Sequence, residues 1–309
     1  MRRARALVAA LLAAAVQAHA GGTPSDPAAA GAPPADAAPA LPGVVSINLC
    51  ADQLLLELAD PAQIRSLSRL AAEPSASHHV ARAAGLPTND GTAEPVLALA
   101  PELVIVGEYS DRYTVRLLEA RGLSLRTLPL ADSVRSTLDN VLLVGEWIGR
   151  PGRARALVAS LEARLDALER GAAADDPGAP VSVAAVYDPN GYTVGPASLR
   201  GEMLARAGFA NAAEAAGIEG YGSLSLEALV RAAPDVLIDS PYSPGTWSRA
   251  QALSLHPALR ARGIDPEVIT LRSADTICGG PWTVTLIERL AAERRALSRP
   301  RSAASGDRP

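Results

Sequence analysis

The sequence predicts an α/β fold with mainly parallel sheets, built as two similar halves joined by one long helix. Three observations predict it. Short runs rich in Val, Ile and Leu alternate with helical stretches along most of the chain, the pattern of helices layered on a parallel sheet. In the middle, residues 151–170 read as a single helix. Pro151 loses no useful hydrogen bond at a first helical position, and Leu157, Leu161, Leu165 and Leu168 recur at helical spacing on one face. Finally, residues 92–105 are repeated in kind at 225–238, at a constant offset.

The termini lie outside this fold. Arg2, Arg3 and Arg5 form a basic start, 6–16 is an apolar run, and Ala18-His19-Ala20 is a small-x-small cleavage site, so 1–20 reads as a secretory signal peptide. The run is too short to span a bilayer, and no Cys follows it that could carry a lipid. Cleavage after Ala20 removes three arginines and takes the formal charge from -4 to about -7. An acidic chain is a poor nucleic-acid binder, and no later stretch reaches membrane-spanning length. Residues 21–42, rich in Ala and Pro, are expected to be a disordered leader, and 298–309 a polar tail. The expected domains are an N-terminal lobe over 43–148, the joining helix over 149–172 and a C-terminal lobe over 173–297.

In order, 44–48 reads as the first strand, and 49–52 turns into a helix carrying Leu54, Leu55, Leu56 and Leu58. Residues 64–67 form a second strand, and 73–79 a polar loop holding His78 and His79. Then come a short helix at 92–100, a buried strand at 103–106, a helix at 111–121, a strand at 123–128 closed by Pro129, and a helix at 134–148. A Pro-containing loop at 175–180 ends the joining helix. The pattern then restarts: a strand at 181–187, a turn at Asp188-Pro189-Asn190-Gly191, and helices at 199–207 and 225–233. A buried strand at 236–239, a helix at 251–262, a strand at 268–271 and a closing helix at 281–297 complete it.

In the repeat, Thr92 and Ser225 can each accept a hydrogen bond from a free first-turn N–H. Glu94 and Glu227 sit where the helix dipole favours negative charge, and Pro101 and Pro234 end the helices. Helix–Pro–strand units recur by chance in α/β proteins. Matching hydroxyl, Glu and Pro at one offset mark a duplication instead.

These residues resemble the periplasmic substrate-binding proteins of ABC importers for iron complexes and cobalamin, whose two lobes are joined by a single long helix. The resemblance covers 44–297. It is most specific in Val-Ser-Ile-Asn-Leu-Cys-Ala-Asp-Gln at 45–53, in the Glu-x6-Pro-acid segments of both halves, and in Cys-Gly-Gly-Pro-Trp at 278–282. It implies two Rossmann-like lobes with a ligand cleft between them, and a monomer in the periplasm that captures an iron-siderophore, cobalamin or haem-like ligand. The implied partner is the ABC permease–ATPase complex of the inner membrane. In the family, lobe-surface glutamates dock on permease arginines; Glu94 and Glu227 fall at those places in the motif, one per lobe. Helix-dipole stabilisation alone would also account for each. The resemblance implies no cofactor and no enzymatic activity, and small lobe closure, because a helix between lobes bends less readily than paired flexible strands.

Ligands of open α/β sheets gather outside the carboxyl ends of strands. Asn48 and Cys50 follow the first strand; Tyr109 and Arg112 follow 103–106; Tyr187 and Tyr192 follow 181–187; Tyr242 and Trp247 follow 236–239; Cys278 and Trp282 flank the last helix start. The chain is only 3% aromatic, so rings at these ends are candidates to grip the flat face of a macrocycle or iron chelate, though any one could merely pack a loop. Arg69 and Arg112 could pair with carboxylates on the ligand. Adjacent His78 and His79 point different ways, as surface residues or with one reaching the ligand, and His256 before Pro257 looks structural. The chain lacks the set of histidines and carboxylates that binds bare zinc or manganese, so no metal site is expected.

If the lobes face each other as in that family, the two cysteines approach across the cleft. Three outcomes are open: a disulfide pinning the lobes, thiolate ligands for a soft metal, or two small buried thiols. No nucleophile elbow, dinucleotide fingerprint, phosphate loop, Cys-x-x-Cys or His-Glu-x-x-His occurs. The alternative is a secreted two-lobed enzyme using the Cys50/Cys278 pair or cleft carboxylates. A binder shows ligand-induced stabilisation without turnover; a structural interaction protein shows neither and lacks a cleft.

Overall fold

A computed structural model describes residues 41–173, 181–241, 256–257 and 263–297. The first half holds strands β1 (Val44–Ser46), β2 (Ile64–Ser68), β3 (Thr88–Asn89), β4 (Leu103–Gly107) and β5 (Leu125–Leu128). They form one parallel sheet in the order β3-β2-β1-β4-β5. Its helices are α1 (Leu49–Leu58), α2 (Val80–Ala83), α3 (Ala93–Ala98), α4 (Arg112–Ala120) and α5 (Val134–Trp147). The joining helix α6 runs Pro151–Ala173.

The second half repeats the plan. Strands β6 (Val183–Val186), β8 (Ala210–Asn211), β10 (Val236–Asp239) and β11 (Glu267–Thr270) form a parallel sheet in the order β11-β10-β6-β8. Strands β7 (Tyr192–Val194) and β9 (Tyr221–Ser223) pair separately as an antiparallel ribbon. The helices are α7 (Leu199–Arg206), α8 (Leu226–Ala232), α9 (Ser273–Thr276) and α10 (Trp282–Leu297). In each sheet the first strand lies centrally and the chain reverses direction beside it, between β1 and β4 and between β6 and β10. These reversals are the topological switch points at which α/β sheets bind ligands.

Strand residues alternate between two apolar clusters, as a period of two requires. Val44 and Ile105 face a core shared with α1 and α5, while Val45, Val104 and Val106 face Val96 and Leu118 on the other side. In the second sheet Ala184 and Val186 face the same shared core, and Ala185 and Leu237 face the opposite cluster. Both faces are covered, which is why these strands read as continuous apolar runs.

The shared core passes through α6, whose Ala154, Val158, Leu161 and Leu165 are buried while Leu157 and Leu168 pack at its edge. Arg164 fastens the helix to α10 through Nε to Glu288 Oε1 at 2.8 Å and Nη2 to Thr285 Oγ1 at 2.8 Å. On the α5 side, a Cβ at Gly145 would lie 2.3 Å from Ala154 Cβ, so only glycine lets these helices approach so closely.

The duplication extends beyond the motif. Ala100 and Ala233 both take φ 43°, each just before the proline. The acid after the proline then accepts from a backbone N–H beside the first strand of its half: Gly43 to Glu102 Oε2, and Val183 to Asp235 Oδ2, each 2.8 Å. The expected caps differ. Ser225 Oγ accepts from the Ala228 N–H, but Thr92 donates its hydroxyl to Asp90 Oδ1 at 2.6 Å and makes no cap hydrogen bond. A neighbouring carboxylate is the stronger acceptor and draws the hydroxyl away from the helix.

Strand β1 ends two residues before its expected limit, because Asn48 becomes the N-cap of α1 and its Oδ1 accepts from the Ala51 N–H at 3.0 Å. The expected loop at 175–180 lies outside the described residues, as does the expected helix at 251–262 apart from 256–257. Strands of two or three residues (β3, β7, β8 and β9) carry too little period to be read in sequence.

Candidate ligand recess between the two halves

Three carboxyl ends of the first sheet converge on one recess. After β1 come Asn48 and, one residue into α1, Cys50. Gly107 ends β4, and Glu108 and Tyr109 follow it; after β5 come Pro129, Leu130 and Ala131. Gly107 needs no side chain, since a Cβ there would meet Asn48 Nδ2 at 2.2 Å. The Gly107 N–H donates to Ser110 Oγ, Asp111 caps α4 by accepting from the Thr114 N–H, and Asn140 Nδ2 holds the Pro129 carbonyl at 2.8 Å. The facing wall comes from the second half: Ile277, Cys278 and Gly279, between α9 and α10.

Large apolar side chains stand open to solvent at this recess. Tyr109 is 85% exposed, Leu130 48% and Ile277 44%. Cys50 and Cys278 are joined in a disulfide, with Cα atoms 5.3 Å apart and 228 positions between them in sequence. Of the three outcomes open for these cysteines, this is the first. Neither a thiolate metal site nor thiol chemistry is available to the oxidised pair.

Beside the recess, the segment 272–282 is gripped by the first half. His78 Nδ1 lies 2.6 Å from Asp275 Oδ1, and the His78 ring stacks on Trp282 at 4.5 Å and 15°. His79 meets Trp282 edge-on at 5.4 Å, and Trp282 Nε1 donates to the Asp275 carbonyl at 3.1 Å. Burial raises the Asp275 carboxyl, but hydrogen bonds from His78 and Arg272 outweigh it and hold the group below its usual range. Gly279 seats closely: a Cβ would lie 2.5 Å from Thr137 Oγ1 and 2.9 Å from Ala131 Cβ. A second tie crosses from α7, where Glu202 Oε2 accepts from the Val134 N–H at 2.7 Å in the first turn of α5.

Of the sequence candidates, Asn48, Cys50, Tyr109 and Cys278 are brought together in this recess. Trp282 is 5% exposed and braces the segment behind the wall. Arg69 and Arg112 are exposed, in a 3-10 turn and in the first turn of α4, and neither lines the recess. Tyr187 points away from it. The ring is buried among Ala185, Leu224, Leu229 and Leu237, and burial together with the nearby Glu227 charge pushes its phenol up. Tyr192 stacks on Tyr221 at 6.3 Å on the β7–β9 ribbon, and both are exposed.

Tyr242 and Trp247 lie outside the described residues. Glu94 and Glu227 are both exposed, each in the first turn of its helix. Glu227 is held below its usual range by its own N–H, Ser225 and Arg231. Sequence reasoning missed Leu130 and Ile277, whose only signal is apolar character in a loop, and missed His78 as a contact between the halves. Among the described residues, no three His, Cys, Asp or Glu side chains group as a metal site.

Two sheets of one plan, a helix between them, and a recess at the first sheet's switch point walled by the second half define a two-lobed solute-binding protein. The periplasmic binding protein family matches residues 44–261, and the chain belongs to that family. Its members are binding proteins, the substrate-binding components of ABC importers. The fold is shared with the haem-binding protein RhuT of Roseiflexus sp. RS-1 in apo form, at 24% identity and TM-score 0.66, over 83% of this chain and 98% of that one. A periplasmic haem-binding protein of Pseudomonas aeruginosa aligns at 24% identity and TM-score 0.64, over 85% and 96%. The vitamin B12-binding protein BtuF of Vibrio cholerae aligns at 14% and 0.60, over 84% and 99%. No curated protein matches the sequence.

Proposed function

We propose that this binding protein captures a metal chelate or macrocycle with a broad apolar face (an iron-siderophore, a corrinoid or haem) in the recess and delivers it to an inner-membrane permease–ATPase complex. One observation carries the reading. Tyr109, Leu130 and Ile277, from three loops of two halves, expose large apolar surface at a single recess. Exposed apolar surface gathered at one place marks an interaction site. The haem and vitamin B12 binding named for the structural neighbours supports the ligand class.

In this reading, removal of residues 1–20 releases a monomer into the periplasm, with lobes at 43–148 and 173–297 and a joining helix at 149–172. Glu94 and Glu227 present one carboxylate per lobe to permease arginines. The test is absorption titration of the mature protein with haemin, cyanocobalamin and ferrioxamine. One of them is expected to bind at one per chain without turnover. The double variant Tyr109→Ser/Ile277→Ser is expected to weaken that binding about tenfold or more, as lost apolar contact requires. Failure of all three to bind, or an unaltered affinity in the variant, overturns the reading.

A further inference from the structure

Residues 272–282 belong to the second half by sequence but are fixed to the first at separate points. Cys278 is joined to Cys50, Asp275 and Trp282 hold His78, and Gly279 sits against Thr137 and Ala131. This segment supplies the Ile277–Gly279 wall of the recess. The recess therefore owes its shape to a wall whose one covalent attachment to the opposite lobe is a disulfide. That disulfide lies in the recess lining itself: Cys50 is half-buried and Cys278 is 3% exposed, and both border the open space. A reductant approaching from the recess and a ligand seated in it would meet the same pair of residues, Cys50 being the more open of the two.

We propose that Cys50–Cys278 is a redox-controlled fastener of the ligand recess, so that ligand binding and disulfide reduction oppose each other. The proposal rests on the recess being the ligand site. The reductant is a dithiol. Its thiolate attacks one sulfur, forms a mixed disulfide and expels the other cysteine as thiolate; its second thiol then closes onto the first. Two electrons and two protons reach the protein, which gains two thiols, and the dithiol leaves as a disulfide. The wall is then held by the His78 contacts and packing alone, and Ile277 can move relative to Tyr109 and Leu130. A bound ligand covers the bridge and slows the attack; separately, the reduced protein, with its wall no longer fixed, binds the ligand more weakly, and by linkage a bound ligand shifts the equilibrium toward the disulfide.

Hydrogen exchange over 272–282 tests the fastener without any ligand. Exchange is expected to accelerate about tenfold or more in protein reduced with dithiothreitol, and equally in Cys50→Ser/Cys278→Ser without reductant. Unchanged exchange in reduced wild-type protein overturns the proposal, whether or not the variant folds. The coupling is read with haemin, cyanocobalamin and ferrioxamine. The probe that binds is expected to slow alkylation of the two thiols under dithiothreitol, and to bind the double variant about tenfold more weakly. Faster exchange with unaltered affinity and unprotected thiols overturns the coupling. If no probe binds, the ligand reading and with it the coupling fall, while exchange still decides whether the bridge fastens the wall.

Discussion

Asp52 lies in the first turn of α1 and is completely buried. Ser68 donates both its N–H, at 3.2 Å to Oδ1, and its hydroxyl, at 2.5 Å to Oδ2. Burial pushes this carboxyl up to about 7 against the partial relief of hydrogen bonds from Ser46 and Ser68. Well below pH 3.8 the group is protonated in both folded and unfolded chains. Between 3.8 and about 7 the folded chain keeps a proton that the unfolded chain has released, so stability falls as pH rises through that window. The whole effect is on the order of 4 kcal/mol. Thermal unfolding should therefore show a Tm that drops between pH 4.5 and 8, and Asp52→Asn should flatten the drop; equal slopes in the two proteins would assign it elsewhere. Nothing local in the sequence announces this residue, because the Ser68 that satisfies its buried carboxyl comes from β2. Tyr187 was more nearly legible. Its place at a strand end is as expected, but a period of two puts it on the face of Ala185, and that face is covered by Leu229 of α8.

At the scale of elements, the α5–α6 crossing depends on Gly145, where a side chain would strike Ala154 Cβ. Gly145→Val should cost about 1–3 kcal/mol by overpacking. Gly152, with open space around its Cα, should accept Ala with no loss and a gain of up to about 1 kcal/mol. Urea denaturation compares the two, and equal midpoints would deny the close crossing. Long periodic elements such as α5, α6 and α10 were legible because their apolar faces repeat over several turns. The asparagines that tie short strands together were not. Asn89 Nδ2 donates to the Ser46 and Leu67 carbonyls while its Oδ1 accepts from the Gly91 N–H; Asn211 does the same toward the Val194 carbonyl and the Ala213 N–H. Each role is set by strands distant in sequence, so an isolated Asn beside a turn carries no mark of it.

At the scale of the molecule, the duplication was legible from Glu, Pro and acid at one offset, and it places an exposed glutamate at the head of equivalent helices, α3 and α8. Reversing both charges, Glu94→Lys with Glu227→Lys, should abolish uptake in cells while leaving Tm and the probe titration within error of wild type. Intact uptake would sink the docking role. The approach of Cys50 to Cys278 was legible only through the family resemblance, and there the disulfide was one of three open outcomes, since no local pattern encodes the distance between them. That contact closes most of the chain into a covalent ring: the strands from β2 to β11 lie inside it, while β1 and α10 lie outside. Stretched between its two ends, the molecule would carry the load through β1, the sulfur–sulfur bond and α10, and the strands inside the ring would stay off the covalent load path. Some 800 Å of contour length, at about 3.5 Å per residue, would stay hidden from the pulling device until a reductant cuts the ring.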